Sequence, residues 1–433
     1  MTLSIGARLN RNVLVYKGIQ PRILVDGNNY EDASLYRSRG GYRELDDEVA
    51  FLNDVSASGL RGRGGAAFPV AVKLASVRTA AGHSVVVANG EEGEPTSVKD
   101  RWLLRHRPHL VLDGLRLAAQ VVGTMTAVVY LSDSPARDRV EKALEELRGD
   151  ASFGLQVTVV QVEPSYVAGE ETAAVRAING GPALPTDKPP RPFEEGVAGL
   201  PTLVNNVETL ANLALLHQLG PEGYRRVGTD NSSGTFLMTL STAAGASLYE
   251  VPFGVTLREV LSWSDIDPDG VRGFLMGGYF AGVIGPRALD LSLDYDVYAS
   301  AGTGLGCGAV VVLDEETCPV ATSAAVMAYF GRENAAQCGS CFNGTSAMAN
   351  VLESLRDSAA DLAELDRLER WSTFLRGRGA CGTLDGATNV AASLLREFPD
   401  SVDVHLRGAC PSCETGKFPS YPPYGVSYAA HDA

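Results

Sequence analysis

The chain of 433 residues has little of three things, and each shortage excludes something. Basic side chains are scarce: 37 Lys and Arg stand against 52 Asp and Glu, a formal charge of −15. A chain this acidic is a poor match for a phosphate backbone, so no nucleic-acid partner is expected. Long apolar runs are missing as well. No stretch reaches the roughly 20 apolar residues that cross a bilayer, so direct membrane insertion is not expected. The longest runs, such as 84–88 and 127–131, have strand length. Cysteine is sparse and odd in number, with seven residues. That excludes a disulfide scaffold in a chain of this length and makes any thiol function local. Residues 1–18 carry charge without a long apolar run, so no signal peptide is read there. The resulting expectation is a cytoplasmic protein with reduced thiols.

What remains is the composition of packed globular protein, 45% hydrophobic and 21% charged, and large-scale disorder is excluded. At roughly 100–200 residues per domain, two to four domains are expected. The first segment, 1–50, carries no clear motif. From 51 to 233, strand-like and helix-like segments alternate. Runs 85–88, 127–131 and 155–162 read as buried strands, and 109–122 and 138–147 as helices. That alternation predicts an α/β domain with a mostly parallel, Rossmann-like sheet. Composition shifts near Gly234. A compact αβ module is expected over 234–321, with a strand at 235–240 and a short helix at 256–262. The part 322–433 turns helical, at 346–355, 359–374 and 388–398, and holds five of the seven cysteines.

Five segments carry chemistry. Gly62-Arg63-Gly64-Gly65 precedes a helix-like stretch with Lys73 in it. Close glycines and a helix N-terminus suit a phosphate, and a tight structural turn explains the same residues. Asn89-Gly90-Glu91-Glu92-Gly93-Glu94 follows a buried strand, where α/β sheets place ligand groups; a solvated acidic loop is the plain alternative. Gly169-Glu170-Glu171 comes next, and then Lys188-Pro189-Pro190-Arg191. The fifth is Asn205-Asn206, whose amides suit a heterocycle edge or, equally, a helix cap.

In this order and spacing the five segments resemble the NADH-oxidising flavoprotein subunit of respiratory complex I. The same domain occurs in flavoprotein subunits of NAD-linked hydrogenases and formate dehydrogenases. The resemblance implies an FMN/NADH domain, a ubiquitin-like β-grasp module over 234–321 and a helical iron–sulfur domain. It implies that Gly62, Arg63, Gly64, Gly65 and Lys73 hold the FMN phosphate. Asn89, Glu91 and Glu92 would bind the ribityl chain and flavin edge, Gly169, Glu170 and Glu171 would line the flavin, and Asn205 and Asn206 would contact its phosphate end. Phe68, Glu94 and Lys188 would serve NADH, and Glu94 and Glu171 are the candidate catalytic groups. Hydride would pass from NADH to FMN, then single electrons through a 4Fe–4S cluster to a ferredoxin-like carrier or a partner iron–sulfur subunit. Two positions depart from the family. Arg191 stands where Phe is usual, which relaxes the expected exclusion of NADPH, and Glu91 replaces Asp.

The cysteines depart further. The family's run is Cys-x-x-Cys-x-x-Cys with a fourth Cys later. Here Cys338 and Cys341 are followed by Gly344 at the third position, and Cys381 matches the fourth. Cys410 and Cys413 are additional. Three readings stay open: a 4Fe–4S site from Cys338, Cys341, Cys381 and one tail cysteine, with Cys410 as the first choice; a zinc site pairing Cys338 and Cys341 with Cys410 and Cys413; or a lost cluster. The first is preferred because a flavin that accepts two electrons needs an outlet for single ones. Cys307 and Cys318 read as core thiols. Arg367, Arg370, Arg376 and Arg378 form either a solvated face or a docking patch for an acidic carrier. The rival functions are a non-catalytic scaffold that keeps the fold and a zinc-bound module without electron transfer.

Overall fold

The computed structural model describes residues 7–25, 29–78, 83–408, 410–413 and 422–427. Residues 1–6, where the stretch read as lacking a leader begins, lie outside them. Strand β1 (Ala7–Val15) opens the chain, followed by β2 (Val85–Asn89), β3 (Thr126–Leu131), β4 (Gln156–Gln161) and β5 (Thr202–Asn206). The last four form one parallel sheet in the order β4-β3-β2-β5. Their Val-rich runs suit a sheet covered on both faces. The register sets Asn89 beside both Tyr130 and Asn206, so the carboxyl ends of β2, β3 and β5 share one rim.

Helix Pro108–Val122 is buried along nearly its whole length against helix Val207–Arg225. Gly114 permits the contact, since a Cβ there would lie 1.9 Å from the Leu210 carbonyl oxygen. Expected and observed elements agree closely in this region. The helix expected at 138–147 starts earlier, at Ser134, because Asp133 accepts from the Ala136 N–H and caps it.

Strands β6 (Thr235–Thr242) and β7 (Gly245–Pro252) form an antiparallel hairpin, joined by β8 (Val271–Met276), β9 (Val283–Ile284) and β10 (Ala309–Asp314). Helix Leu257–Trp263 between them starts on a reciprocal Thr256–Glu259 capping box. This is the β-grasp arrangement, but the sheet is larger than 234–321 predicts. Its order is β11-β1-β7-β6-β10-β8-β9, with β11 (Val426–Ser427) at the far edge. The N-terminal segment is therefore built into this sheet. Its anchor is buried Glu250, whose carboxylate accepts from the N–H groups of Arg22, Ile23 and Leu24 and from Thr235 Oγ1. Five helices follow: Pro319–Glu333, Gly339–Arg356, Leu362–Phe374, Thr383–Glu397 and Pro399–Arg407. They share a core that includes Met327, Phe330, Leu352, Leu384 and Leu394. Among the described residues no helix is long and apolar enough to cross a membrane.

The two sheets are joined through charge. Lys99 Nζ, 1% exposed, lies 2.8 Å from Asp100 Oδ1 and 3.0 Å from Glu208 Oε2, and Glu208 Oε1 accepts from the Leu237 N–H of β6. Burial alone would lower the Lys99 pKa; Asp100 and Glu208 outweigh it and hold the ammonium charged. Lys99→Met would leave two carboxylates buried without their cation. The expected loss is about 3–5 kcal/mol of unfolding free energy, measured by urea titration; an unchanged midpoint would show that water already compensates these charges.

Candidate active site

The rim of the parallel sheet opens into a cavity of about 630 Å³. One wall is the glycine loop. Gly62 N–H donates to the Phe68 carbonyl and Val70 N–H to that of Leu60, closing the loop just before helix Val70–Arg78. Gly65 has φ +113°, open to glycine but strained for other residues, and a Cβ at Gly64 would lie 3.0 Å from Asn206 Cβ. Gly169 closes another wall, where a Cβ would lie 2.9 Å from the Glu91 carbonyl oxygen. These positions keep space that any side chain would fill.

The acidic residues divide into two groups. Glu92 is occupied: its carboxylate accepts from the Asp100 and Arg101 N–H groups, from Ser97 Oγ and from Arg101 Nε, which anchors the start of helix Lys99–His106. Glu170 caps helix Glu171–Ile178 through the Thr172 and Ala173 N–H groups and pairs with Lys188 Nζ at 2.7 Å. Glu171 lies 3.5 Å from Lys73 Nζ and 3.7 Å from Lys188 Nζ. Burial lowers the Lys73 pKa, and Glu171 partly opposes that. Glu94 accepts from the Tyr279 N–H and from Thr96, and desolvation lifts it to about 7. Glu91 is different. It is buried, and burial lifts it to about 7, with the Ser132 side chain and the Ser165 backbone opposing that rise through hydrogen bonds.

The two asparagines separate in the same way. Asn206 caps its helix through Oδ1 and donates from Nδ2 to Asp100, 2.7 Å away. Asn205 is buried with its Nδ2 donor unpaired among the described residues. Asn89 donates to the Gly169 carbonyl at 2.8 Å. Phe68, half exposed, and Phe193 line the mouth, as do Lys188 and Arg191. Thr209 and Cys307 also line the cavity; neither stood out in the sequence, since Thr209 lies inside a helical run and Cys307 reads as a core thiol.

Arg63 departs from expectation. Its side chain is buried away from the cavity. It donates to the Arg61, Ser233 and Thr235 carbonyls and to Tyr224 Oη, and lies 4.6 Å over the Phe253 ring. It joins the glycine loop to the second sheet, and its backbone N–H donates to Thr209 Oγ1 at 2.8 Å.

Cys338 is the N-cap of helix Gly339–Arg356, Cys341 lies in that helix's first turn, and Cys381 precedes helix Thr383–Glu397. All three line one small cavity beside Pro185, Gln337 and Ala380. Cys381 lines the large cavity too. The third family position, Gly344, packs against the Leu375 side chain, and a Cβ there would lie 2.7 Å from Leu375 Cδ1, so a larger residue would need that leucine to shift. Cys410 does not complete this set. It lies with Cys413, His405 and Cys318, so the expected joint ligation by Cys410, the zinc pairing across the two Cys-x-x-Cys motifs and the reading of Cys318 as a plain core thiol all give way to a separate cluster.

Because folding holds Glu91 protonated more readily than the unfolded chain does, the ligand-free protein should lose stability as pH rises from about 4.5 to about 7 and level off above. Glu94 and Asp100, lifted to about 7 as well, contribute to the same decline, so Glu91→Gln should flatten part of it and raise stability at pH 8 by on the order of 2 kcal/mol, read from thermal unfolding at stepped pH. An unaltered pH profile would place the proton elsewhere.

Comparison with known proteins matches this architecture in both halves. The family model described as "Nuo51 FMN-binding domain" matches residues 55–215, and that described as "NADH-ubiquinone oxidoreductase-F iron-sulfur binding region" matches residues 321–405. An NADH-quinone oxidoreductase subunit of Rhizobium meliloti is 32% identical over 397 residues, covering 86% of this chain and 94% of its own. The HndC subunit of the NADP-reducing hydrogenase of Solidesulfovibrio fructosivorans is 31% identical over 370 residues, covering 81% and 75%. An NAD+-reducing [NiFe]-hydrogenase in its H2-reduced state superposes with a TM-score of 0.80 at 28% identity, over 92% of this chain and 68% of that one. The buried polar groups at the sheet rim, the glycine cradle and the cysteines beside it are thus those of a chain that belongs to the flavoprotein family of NADH-quinone oxidoreductases, with an FMN-binding domain followed by an iron–sulfur binding region.

Proposed function

We propose that the cavity takes FMN at its floor and NADH at its mouth, and that electrons leave toward a partner subunit or a ferredoxin-like protein. One observation carries this reading: Cys381 lines both the large cavity and the small one it shares with Cys338 and Cys341. The hydride acceptor's pocket and the thiols of the iron–sulfur region therefore share a wall.

The residues fit the group. The Gly64 and Gly65 backbone and the N-terminus of helix Val70–Arg78 face a phosphate, with Lys73 as its cation. Glu91 supplies an acceptor for the ribityl chain and ring edge, and Asn205, whose amide donor is unpaired among the described residues, supplies a donor toward the phosphate end. FMN, when bound, supplies the two-electron acceptor and one-electron donor that side chains lack. Phe68 and Phe193 flank the donor, Lys188 and Arg191 meet its phosphates, Glu94 borders the reacting end, and Glu171 lies between Lys73 and Lys188. Productive transfer needs the reacting atoms held about 3–3.5 Å apart. Cys338, Cys341 and Cys381 would hold the cluster by three thiolates, since the third family position is Gly344 and offers no thiol.

Arg370, Arg376 and Arg378 are exposed, and Arg378 accepts from Ser340 Oγ through its carbonyl, one residue from Cys341. Exposed Phe342 and Phe374 lie on the same two helices. We read this as the face for an acidic electron carrier.

Holoprotein purified without oxygen should be yellow-brown and should bleach near 450 nm on adding NADH. A colourless protein, or one that NADH does not bleach, would favour a non-catalytic scaffold, and NADPH matching or exceeding NADH would overturn the donor. In the same preparation, Arg376→Glu with Arg378→Glu should slow reduction of a ferredoxin about tenfold or more and leave dye reduction unchanged. Equal losses in both assays would reject the docking face.

A further inference from the structure

We infer that Cys318, His405, Cys410 and Cys413 form a structural zinc site, separate from the thiols beside the flavin cavity. The four residues come from three separate places in the chain. Cys318 is the N-cap of helix Pro319–Glu333, His405 lies in the last turn of helix Pro399–Arg407, and the two remaining cysteines bracket a turn in which the Cys413 N–H donates to the Cys410 carbonyl at 2.9 Å. Their four ligand atoms lie within 4.8 Å of one another.

The spacing suits one ion. Cys318 Sγ is 3.2 Å from His405 Nε2 and 4.0 Å from Cys410 Sγ, and Cys413 Sγ is 3.8 Å from His405 Nε2. Tetrahedral zinc with ordinary bond lengths sets sulfur–sulfur edges of about 3.8 Å and sulfur–nitrogen edges of about 3.6 Å. A cubane cluster binds one thiolate per iron around a much larger body, so a quartet this tight does not enclose one. Cysteine-rich ligation with one histidine is a zinc set, and four protein ligands leave no open position, which marks a structural rather than a catalytic centre.

The surroundings of the ligands are already arranged. His405 Nδ1 lies 3.0 Å from the Arg356 carbonyl oxygen, so Nδ1 carries the proton and donates it there. The lone pair of Nε2 is then left facing the three sulfurs, as in zinc-bound histidines generally. His405 is fully buried, and Cys318 and Cys410 nearly so. Without an ion these groups are left with only weak S–H contacts such as Cys410 Sγ to Cys318 Sγ at 4.0 Å, whereas a divalent cation would bind all four ligand atoms at once.

The ion would fasten the tail. Beyond Cys413, Tyr424 Oη is 2.8 Å from Thr322 Oγ1 on the helix that Cys318 caps, and the Val426 N–H donates to the Pro95 carbonyl at 2.7 Å. Pro95 belongs to the acidic loop of the flavin cavity. The zinc thus holds the helical domain, the tail and the edge of the second sheet in one register.

Metal analysis of the full-length protein, purified without added metal, should give about one zinc per chain in addition to iron. Zinc-edge X-ray absorption on the unaltered protein should show three sulfur ligands and one nitrogen. Cys410→Ser with Cys413→Ser should lose the zinc and keep the iron, whereas Cys338→Ser with Cys341→Ser should keep the zinc. Absence of zinc from the unaltered protein, iron in its place, an oxygen-rich coordination shell or zinc lost only with Cys338 and Cys341 would each overturn the assignment. The absorption measurement decides the question even if the double variants fail to fold.

Discussion

A single buried ammonium holds the parts of this molecule in relation to one another. Lys99 sits at the first position of helix Lys99–His106 between Asp100 and Glu208. Glu208 opens helix Val207–Arg225 and reaches across to the backbone of β6. Asp100 also accepts from Asn206, which underlies the glycine loop. Removing such charges from water is costly, and the ion contacts and hydrogen bonds offset the cost only while all of them are made. The network therefore tolerates little displacement, and it fixes the floor of the cavity against the second sheet.

That rigidity explains how the polar residues of the site divide their work. Glu92, Glu170 and Asn206 line the cavity and at the same time hold a helix start, whereas Arg63 is spent on an inter-sheet seam. Asn205 is left buried at a strand end with its amide donor unpaired among the described residues, and Glu91 is buried in the loop beside it. A buried donor without a partner is rare, and this one faces the cavity.

Much of this is legible in the sequence alone. The valine runs of β2 and β3 and the loops at their carboxyl ends follow from periodicity and from where parallel sheets bind ligands. Direction and distance are not legible. The glycine spacing at 62–65 does not reveal that the Arg63 side chain turns into the seam. Adjacent asparagines at the end of a strand must point to opposite faces, but only the fold decides which one caps the helix. Cys318 lies 87 residues from His405, so no local spacing joins it to the run His405, Cys410 and Cys413. Strand β1 carries no motif because its pairing to β7 is a matter of register rather than of residue type.

The proposed electron route crosses the shared wall at Cys381, and rapid mixing of NADH with the flavin-loaded Cys381→Ser protein tests that crossing most directly. Flavin bleaching should proceed at close to the unaltered rate, while reduction of the iron–sulfur absorbance and of a protein acceptor falls by about tenfold or more, equivalent to at least about 1.4 kcal/mol of barrier. Unimpaired electron delivery to the acceptor in that variant would contradict the proposed route.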